Sequence, residues 1–407
     1  MIVREDGVAD VRRREEEIFM DIKRLAKEIE PWIIERRRWY HARPELSGKE
    51  EGTRDAIARD LAEMGIADVR KMERCFGLVA DIHGASPGKT MALRTDIDAL
   101  EIVEETGLSF AATNGAMHAC GHDAHIAMLL GAAKILNEIK GELRGRVRLL
   151  VQPAEEVAAG APAMMAEGAM DGVDAVYGAH VWGNFDAPLF DVSAGSRMAC
   201  CDRFTITIEG TSAHASAPHL GVDAIAVASS IVGALQQCVS RMTDPLAPVV
   251  LTIGTIQGGS RWNVIPNRVT MEGTVRSFDK DMKTAEAMRR VVEDGASALG
   301  AKGTLDYRRL AQPVINEDER LLRIARDAVT KLYGPQSIGQ LPTMMASEDF
   351  GCYGEKAPYL FAFIGSRNAP KGITWTNHHE KYDIDEDILA RGAAVMAQFA
   401  VSFLAEP

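Results

Sequence analysis

The sequence predicts an α/β protein: a mixed, mostly parallel sheet sandwiched by helices, with a smaller α+β module inserted into it. Three observations point there. The runs RVRLLVQP (146–153) and AVYGAHVW (175–182) are almost continuously apolar, the mark of strands buried on both faces. These runs alternate with segments of helical spacing long enough to cross back over a sheet. Past Ser196 the pattern changes to half-exposed alternation, and the element order becomes β, α, β, β, α, β, the split arrangement of a ferredoxin-like module.

Taken in order, residues 11–40 read as an amphipathic, charge-laced helix that Pro44 should end, and 50–64 as a second helix. GLVADIHG (77–84) and MALRTDID (91–98) read as strands, and HDAHIAMLLGAAKILNEI, from His122 onward, as a helix. The smaller module opens with the alternating strand FTITIEGT (204–211) and a helix over 222–242. It continues with strands PVVLTIGTIQGG and RVTMEGTVRSFD, a helix over 281–299 and the strand TLDYRRL (304–310). Its two helices should cover one face of its sheet. After Gln312 the larger sheet resumes, with a helix over 317–332, the strand APYLFAFIG (357–365) and a closing helix over 387–404.

Composition narrows the function classes. A chain of 407 residues is long enough for two or three domains and a large core. With 46% hydrophobic and 26% charged residues it is not a disordered chain. Lys+Arg 46 against Asp+Glu 58 gives a net charge of -12, so there is no general attraction to nucleic acid or anionic lipid. No uninterrupted apolar run reaches about 18 residues, so no membrane span is expected. The opening MIVREDGVADVRRREEE lacks the apolar core of a secretory signal. Six cysteines (Cys75, Cys120, Cys200, Cys201, Cys238, Cys352) are too sparse for a disulfide framework and suit a reduced, cytoplasmic protein.

The chemistry concentrates in four places. Met117-His118-Ala119-Cys120-Gly121-His122-Asp123-Ala124-His125 gathers a thiol and several imidazoles, the ligands of zinc and similar divalent ions. Cys120 and His122, two apart in extended backbone, would point the same way, with Gly121 allowing close approach. Gln152-Pro153-Ala154-Glu155-Glu156 follows a buried strand, where paired carboxylates are costly unless something positive sits beside them. Neighbouring residues should point apart, so one acid would be a ligand and the other an acid/base. His180 ends the strand AVYGAH, and Asn377-His378-His379-Glu380-Lys381-Tyr382-Asp383 lies near the C-terminus. Cys120, His122, Glu156, His180 and one of His378 and His379 together would hold one or two divalent ions, a known hydrolytic device.

These motifs resemble the metal-dependent amidohydrolase and peptidase family that contains hippurate hydrolase, auxin-conjugate (IAA-amino acid) hydrolase, N-acetyldiaminopimelate deacetylase and p-aminobenzoyl-glutamate hydrolase. The resemblance runs from about Arg37 to Leu404. It rests on His41-Ala42-Arg43-Pro44-Glu45-Leu46-Ser47, Leu93-Arg94-Thr95-Asp96-Ile97-Asp98-Ala99-Leu100, the Cys120 and Glu155 clusters, and Gly178-Ala179-His180. It continues in Gly210-Thr211-Ser212-Ala213-His214-Ala215, Asn263-Val264-Ile265-Pro266, Gly273-Thr274-Val275-Arg276, Ser347-Glu348-Asp349-Phe350 and His378.

The resemblance implies a zinc-peptidase-like catalytic domain of residues 1–197 plus 311–407, and a lid or dimerisation domain of 198–310. It implies Cys120, His122, Glu156, His180 and His378 as metal ligands, His378 rather than His379 because it stands four residues before Tyr382. Glu155 would be the general base and Asp98 a carboxylate that sets up the site. Asp96 stands where more distant relatives carry a ligand histidine. His214 would donate to the oxyanion from the lid of a partner subunit. Asn263 and Arg276 would bind the substrate carboxylate, for which a guanidinium fork is well shaped.

The reaction implied is amide hydrolysis of an N-acyl or aroyl amino acid through an activated water, in a homodimer or a tetramer. The alternatives are a metallo-dipeptidase or carboxypeptidase, hydrolytic deamination of an aromatic amine, and a non-catalytic metal-binding scaffold, against which Glu155 argues. Thiolate and imidazole ligands favour zinc, with manganese, cobalt and nickel as the other candidates. Glu101, Val157 and Trp262 depart from the family's usual residues and bear on the substrate pocket.

Overall fold

A computed structural model describes residues 5–406, with side chains from residue 21 onward. Residues 1–4, the first part of the stretch read against a secretory signal, lie outside the described residues. The chain begins with α1 (Glu5–His41) and α2 (Glu51–Glu63), then β1 (Val69–Lys71), β2 (Leu78–His83) and β3 (Ser86–Asp96). There follow α3 (His122–Glu138), β4 (Arg144–Gln152), the short α4 (Gly160–Ala166), β5 (Ala175–Asp186) and β6 (Phe190–Asp191).

A second run of elements then interrupts this unit. It comprises β7 (Gly195–Ala199), β8 (Cys201–Glu209), β9 (Ala213–His214), α5 (Ala224–Ser240), β10 (Val249–Gly258), β11 (Val264–Ile265), β12 (Arg268–Ser277), α6 (Lys283–Ala298) and β13 (Lys302–Ala311). The chain closes with β14 (Val314–Asn316), α7 (Glu319–Tyr333), β15 (Met344–Ser347), β16 (Tyr359–Arg367) and α8 (Leu389–Ala405).

Contacts divide the chain into two units. The first holds the chain up to Gly195, Asn316–Pro342 and everything from Cys352 on; the second holds Ser196–Ile315 and Thr343–Gly351. The last segment lies beyond the expected 198–310. It joins the second unit because β15 pairs in parallel with β7, Met344 with Met198 and Ser347 with Ala199. That pairing joins residues about a third of the chain apart and leaves no local sequence signal.

The first unit is built on a seven-stranded sheet of order β1-β2-β4-β3-β5-β16-β6. Its four central strands, β4-β3-β5-β16, run parallel, and the pairings at both edges are antiparallel. The central strands are almost wholly buried, which accounts for their continuous apolar runs. α8 is apolar on every side, and the stretch Glu386–Ala405 is long and apolar enough to cross a membrane. It is 78% buried in the fold, packed among α1, α3 and α7, and core packing explains its composition.

From β3 the chain steps to β4 on one side and later to β5 on the other. The β3–β5 ladder ends at the Leu93–Tyr177 pair, so the strands part just short of Asp96 and His180. In open α/β sheets the crevice at such a reversal, outside the strands' carboxyl ends, is the usual ligand position.

The second unit carries a four-stranded antiparallel sheet of order β10-β12-β8-β13. Numbered by chain position that is 2-3-1-4, the ferredoxin-like order. Ile206, Ile208, Met271 and Val275 point from this sheet into a core with Val227, Ile231 and Leu235 of α5 and Met288 and Val292 of α6.

Candidate metal centre

Four chain segments meet at the carboxyl ends of the parallel strands: the Cys120 loop leading into α3, the turn after β4, β5 at His180, and the loop before Tyr382. Cys120 Sγ lies 3.4 Å from His180 Nε2 and 3.3 Å from His378 Nε2. His378 Nε2 is 3.5 Å from Glu156 Oε1, and His122 Nε2 is 3.9 Å from the same oxygen. Two donor sets share the thiol: Cys120 with His122 and His180, and Cys120 with Glu156 and His378.

The backbone sets the ring orientations. His122 Nδ1 donates to the Asp98 carbonyl at 2.9 Å, and His180 Nδ1 donates to the Val181 carbonyl at 2.7 Å. Each ring is thereby held in the tautomer that leaves Nε2 as a lone-pair donor toward the cluster. His122 Nε2 and Glu156 Oε1 are buried and have no hydrogen-bond partner among the described residues. Leaving such groups unpaired is costly. A cation between them would satisfy both, so the donor set fits a divalent metal.

Charge in the cluster follows the same logic. Burial, then Glu156 and Glu155, push the Cys120 thiol well up. An ion in the site would reverse that, because it favours the thiolate. Burial works against protonation of His122, but Asp96 and Asp98 overcome it and raise its pKa to about 10; a cation at Nε2 would displace that proton and leave the neutral, Nδ1-donating ring. Burial, helped by His125, pushes His180 well down, so its ring is neutral.

The surrounding residues hold the ligands in place. The Asp98 carboxylate accepts from Ser47 Oγ at 2.7 Å and from the Glu156 amide at 3.1 Å. Asp96 is buried, its Oδ1 held by His125 Nδ1 at 2.6 Å and its Oδ2 by Arg94 Nη1 at 2.6 Å, and Oδ2 also lies 3.6 Å from His122 Nε2. His125 Nε2 accepts from the Val181 amide. Asn377 donates to the carbonyls of Cys120 and Val181, both at 3.2 Å, and accepts from the Gly183 amide. The Arg94, His125 and Asn377 roles are absent from the sequence reading, although all three residues stand inside its motifs.

Two local expectations are corrected. Cys120 and His122 are not two apart in extended backbone: Gly121 is left-handed, with φ 88°, and His122 is the first residue of α3. Nor do Glu155 and Glu156 diverge, since a carboxylate oxygen of each lies with a His122 nitrogen within 4.8 Å of one another. Ala154 has φ 53°, which folds the segment into a turn that brings both acids to the same side. Between the paired histidines, only His378 reaches the thiol. His379 stacks on Trp375 with ring centroids 4.1 Å apart.

A Cβ on Gly121 would lie 2.3 Å from Val181 Cγ2 and 3.1 Å from Tyr382 Oη, in a conformation side chains avoid. Gly121→Ala is therefore expected to cost about 2–5 kcal/mol, read by denaturant unfolding, and to lower metal content.

The remaining predicted residues belong to the second unit. His214 and Asn263 are neighbours there. β9 pairs with β11, Val264 opposite His214, and the Ala215 amide donates to the Asn263 carbonyl at 3.2 Å. His214 Nδ1 bonds Ser216 Oγ at 2.7 Å. Arg276 donates to Ser347 Oγ at 2.6 Å and to the Cys200 carbonyl at 3.4 Å.

Residues 92–402 match the model of peptidase family M20/M25/M40. The chain is 42% identical over 379 residues to the N-acetyl-L-cysteine deacetylase of Bacillus subtilis, covering 92% of this chain and 89% of that one. It is 38% identical over 389 residues to thermostable carboxypeptidase 2 of Saccharolobus solfataricus, covering 94% and 98%. Its fold matches the crystal structure of a dinuclear metal-binding M20 peptidase of Bacillus subtilis. That match has a TM-score of 0.81 and 36% identity, and it covers 93% of this chain and 99% of the other.

Proposed function

The chain belongs to peptidase family M20/M25/M40, and from that premise we propose that it is an amidohydrolase cleaving N-acyl amino acids at a divalent-metal centre. The convergence of Cys120, His122, His180, Glu156 and His378 on one point beside Glu155 carries this reading. Cys120, His122 and His180 would hold one ion, and Cys120, Glu156 and His378 a second. A divalent ion there supplies Lewis acidity, lowering the pKa of a water and polarising the substrate carbonyl.

The protein's own groups do the rest. Glu155, only 7% exposed, would take the proton of the attacking water and return it to the leaving nitrogen. Asp98 fixes His122 through its carbonyl and the Glu156 amide through its carboxylate. By the family resemblance His214 would be the oxyanion donor, supplied by the lid of a partner subunit, and Asn263 and Arg276 would receive the substrate carboxylate. The free state of all six cysteines supports a reduced, cytoplasmic setting.

The second unit supports self-association. β10 and β13 are its two edge strands. β13 carries Lys302, Asp306, Arg308 and Arg309, charges that guard an edge. β10 has none, exposes Val250 and Ile256, and stands beside α5, whose 17 residues include no charge. We assign this face to a second copy in a homodimer, with the lid or dimerisation role falling to this unit. Ile256→Asp is expected to convert the dimer to monomer in sedimentation equilibrium; an unchanged mass would remove β10 from the interface.

The deciding assay is free-amine release from N-acetyl, N-benzoyl and p-aminobenzoyl amino acids and from N-blocked dipeptides, with and without chelator. Chelator-sensitive release from the simple N-acyl amino acids is expected. Release from the peptides alone would favour the carboxypeptidase reading that the Saccharolobus relative suggests. Ammonia from an aromatic amine would favour the deaminase.

A further inference from the structure

A second concentration of buried charge lies at the end of α1. The Arg37 side chain is 1% exposed and engages three carboxylates: Asp123 through Nε at 2.8 Å, Asp383 through Nη2 at 2.8 Å, and Glu386 through Nη1 at 3.2 Å. One turn on, His41 is equally buried. Its Nδ1 meets Asp123 at 2.8 Å and its Nε2 meets Glu104 at 3.0 Å. Glu104 in turn accepts from the Ala112 amide at 2.7 Å, and the Glu105 amide donates to the Glu380 carbonyl at 2.8 Å. Phe110 packs against both the Arg37 guanidinium and the His41 ring.

Placement gives this cluster its meaning. Asp123 is the residue after His122, on the first turn of α3. Asp383 and Glu386 follow His378 on the irregular segment leading to α8. His378 is a surface residue, 53% exposed in its side chain and held in left-handed backbone at φ 69°. Its nitrogen meets Cys120 Sγ across 258 residues of chain. On one side, the His378 amide bond to the Ala119 carbonyl and the Asn377 amide join the two ligand segments directly. On the other side Arg37 joins them, one hand on Asp123 and two on Asp383 and Glu386.

Buried ion pairs add little net stability, because desolvation consumes most of the attraction. What a three-way guanidinium fork supplies is fixed geometry. We propose that Arg37 is a positioning residue for the metal centre, holding the segment of Cys120 and His122 in register with the segment of His378. This rests on the metal-centre reading above.

The test is divalent-metal affinity by chelator competition on the purified chain, with the melting temperature of the metal-stripped protein measured alongside. Arg37→Gln is expected to bind zinc about 10–100-fold more weakly, the usual effect of losing a residue that orients ligands. Arg37→Lys, which keeps the charge and loses the fork, should fall between. Asp383→Asn leaves Arg37 its other two carboxylates. It should weaken binding in the same direction and serves where Arg37→Gln does not fold.

Arg148→Gln is the control. Arg148 pairs with Asp81 at 2.7 Å in the same unit and touches no ligand segment, so it should lower the melting temperature with zinc affinity intact. Wild-type affinity in folded Arg37→Gln and Asp383→Asn, with only their stability reduced, would overturn the positioning role. A wild-type chain that takes up no zinc would instead overturn the metal-centre reading itself.

Discussion

Glu155→Gln is expected to cut turnover by about 10²–10⁴ while leaving metal content unchanged. The substitution keeps the shape and a hydrogen-bonding oxygen but removes the group that accepts a proton. Glu155 is buried, and its carboxylate oxygen lies within 4.8 Å of both the His122 and Glu156 donor atoms. It is therefore close enough to act on a water bound in that cluster. The loss corresponds to about 3–5.5 kcal/mol of transition-state stabilisation at 1.36 kcal/mol per decade. KM should change little, because the substrate's binding groups are untouched. Turnover within tenfold of wild type would remove Glu155 as general base. Loss of metal together with activity would make it a ligand instead.

Cys120→Ala should have the larger effect on the centre itself. Its thiol lies between His180 Nε2 at 3.4 Å and His378 Nε2 at 3.3 Å and belongs to both donor sets. Removing it should strip all tightly bound metal and bring amide hydrolysis to background, a loss of at least about 10³-fold. His378→Ala removes a member of only one set and is expected to retain part of the metal. Metal content by atomic absorption, read beside activity, separates the two. Equal metal retention in both variants would show that the thiol is not shared.

Much of this was legible in the chain. The central strands announce themselves because burial on both faces demands apolar runs, as in Leu149–Val151 and Ala175–Ala179. The ferredoxin-like unit is legible because each of its strands buries a single face, so the alternation of Thr205, Ile206, Thr207 and Ile208 survives in the sequence. The ligand types are equally plain, since a thiol and imidazoles so close together have few other uses. Less visible were the minor strands β1, β6 and β15. They are two to four residues long, and distant partners hold them in place more than their own composition does.

The sequence by itself determined the two-part architecture, the types of donor group in the cluster and the presence of an acid beside them. These follow from periodicity and side-chain type, which are local properties. Tertiary structure alone decided how those groups meet. It turned Gly121 and Ala154 left-handed so that Cys120, His122 and both glutamates converge, and it set His378 against the Cys120 thiol while His379 stacks on Trp375. It also brought Arg37, Asp123 and Asp383 into one buried cluster. His378 meets Cys120 across 258 residues of chain, and Arg37 reaches Asp383 across 346. Packing and desolvation, acting across such distances, set these contacts.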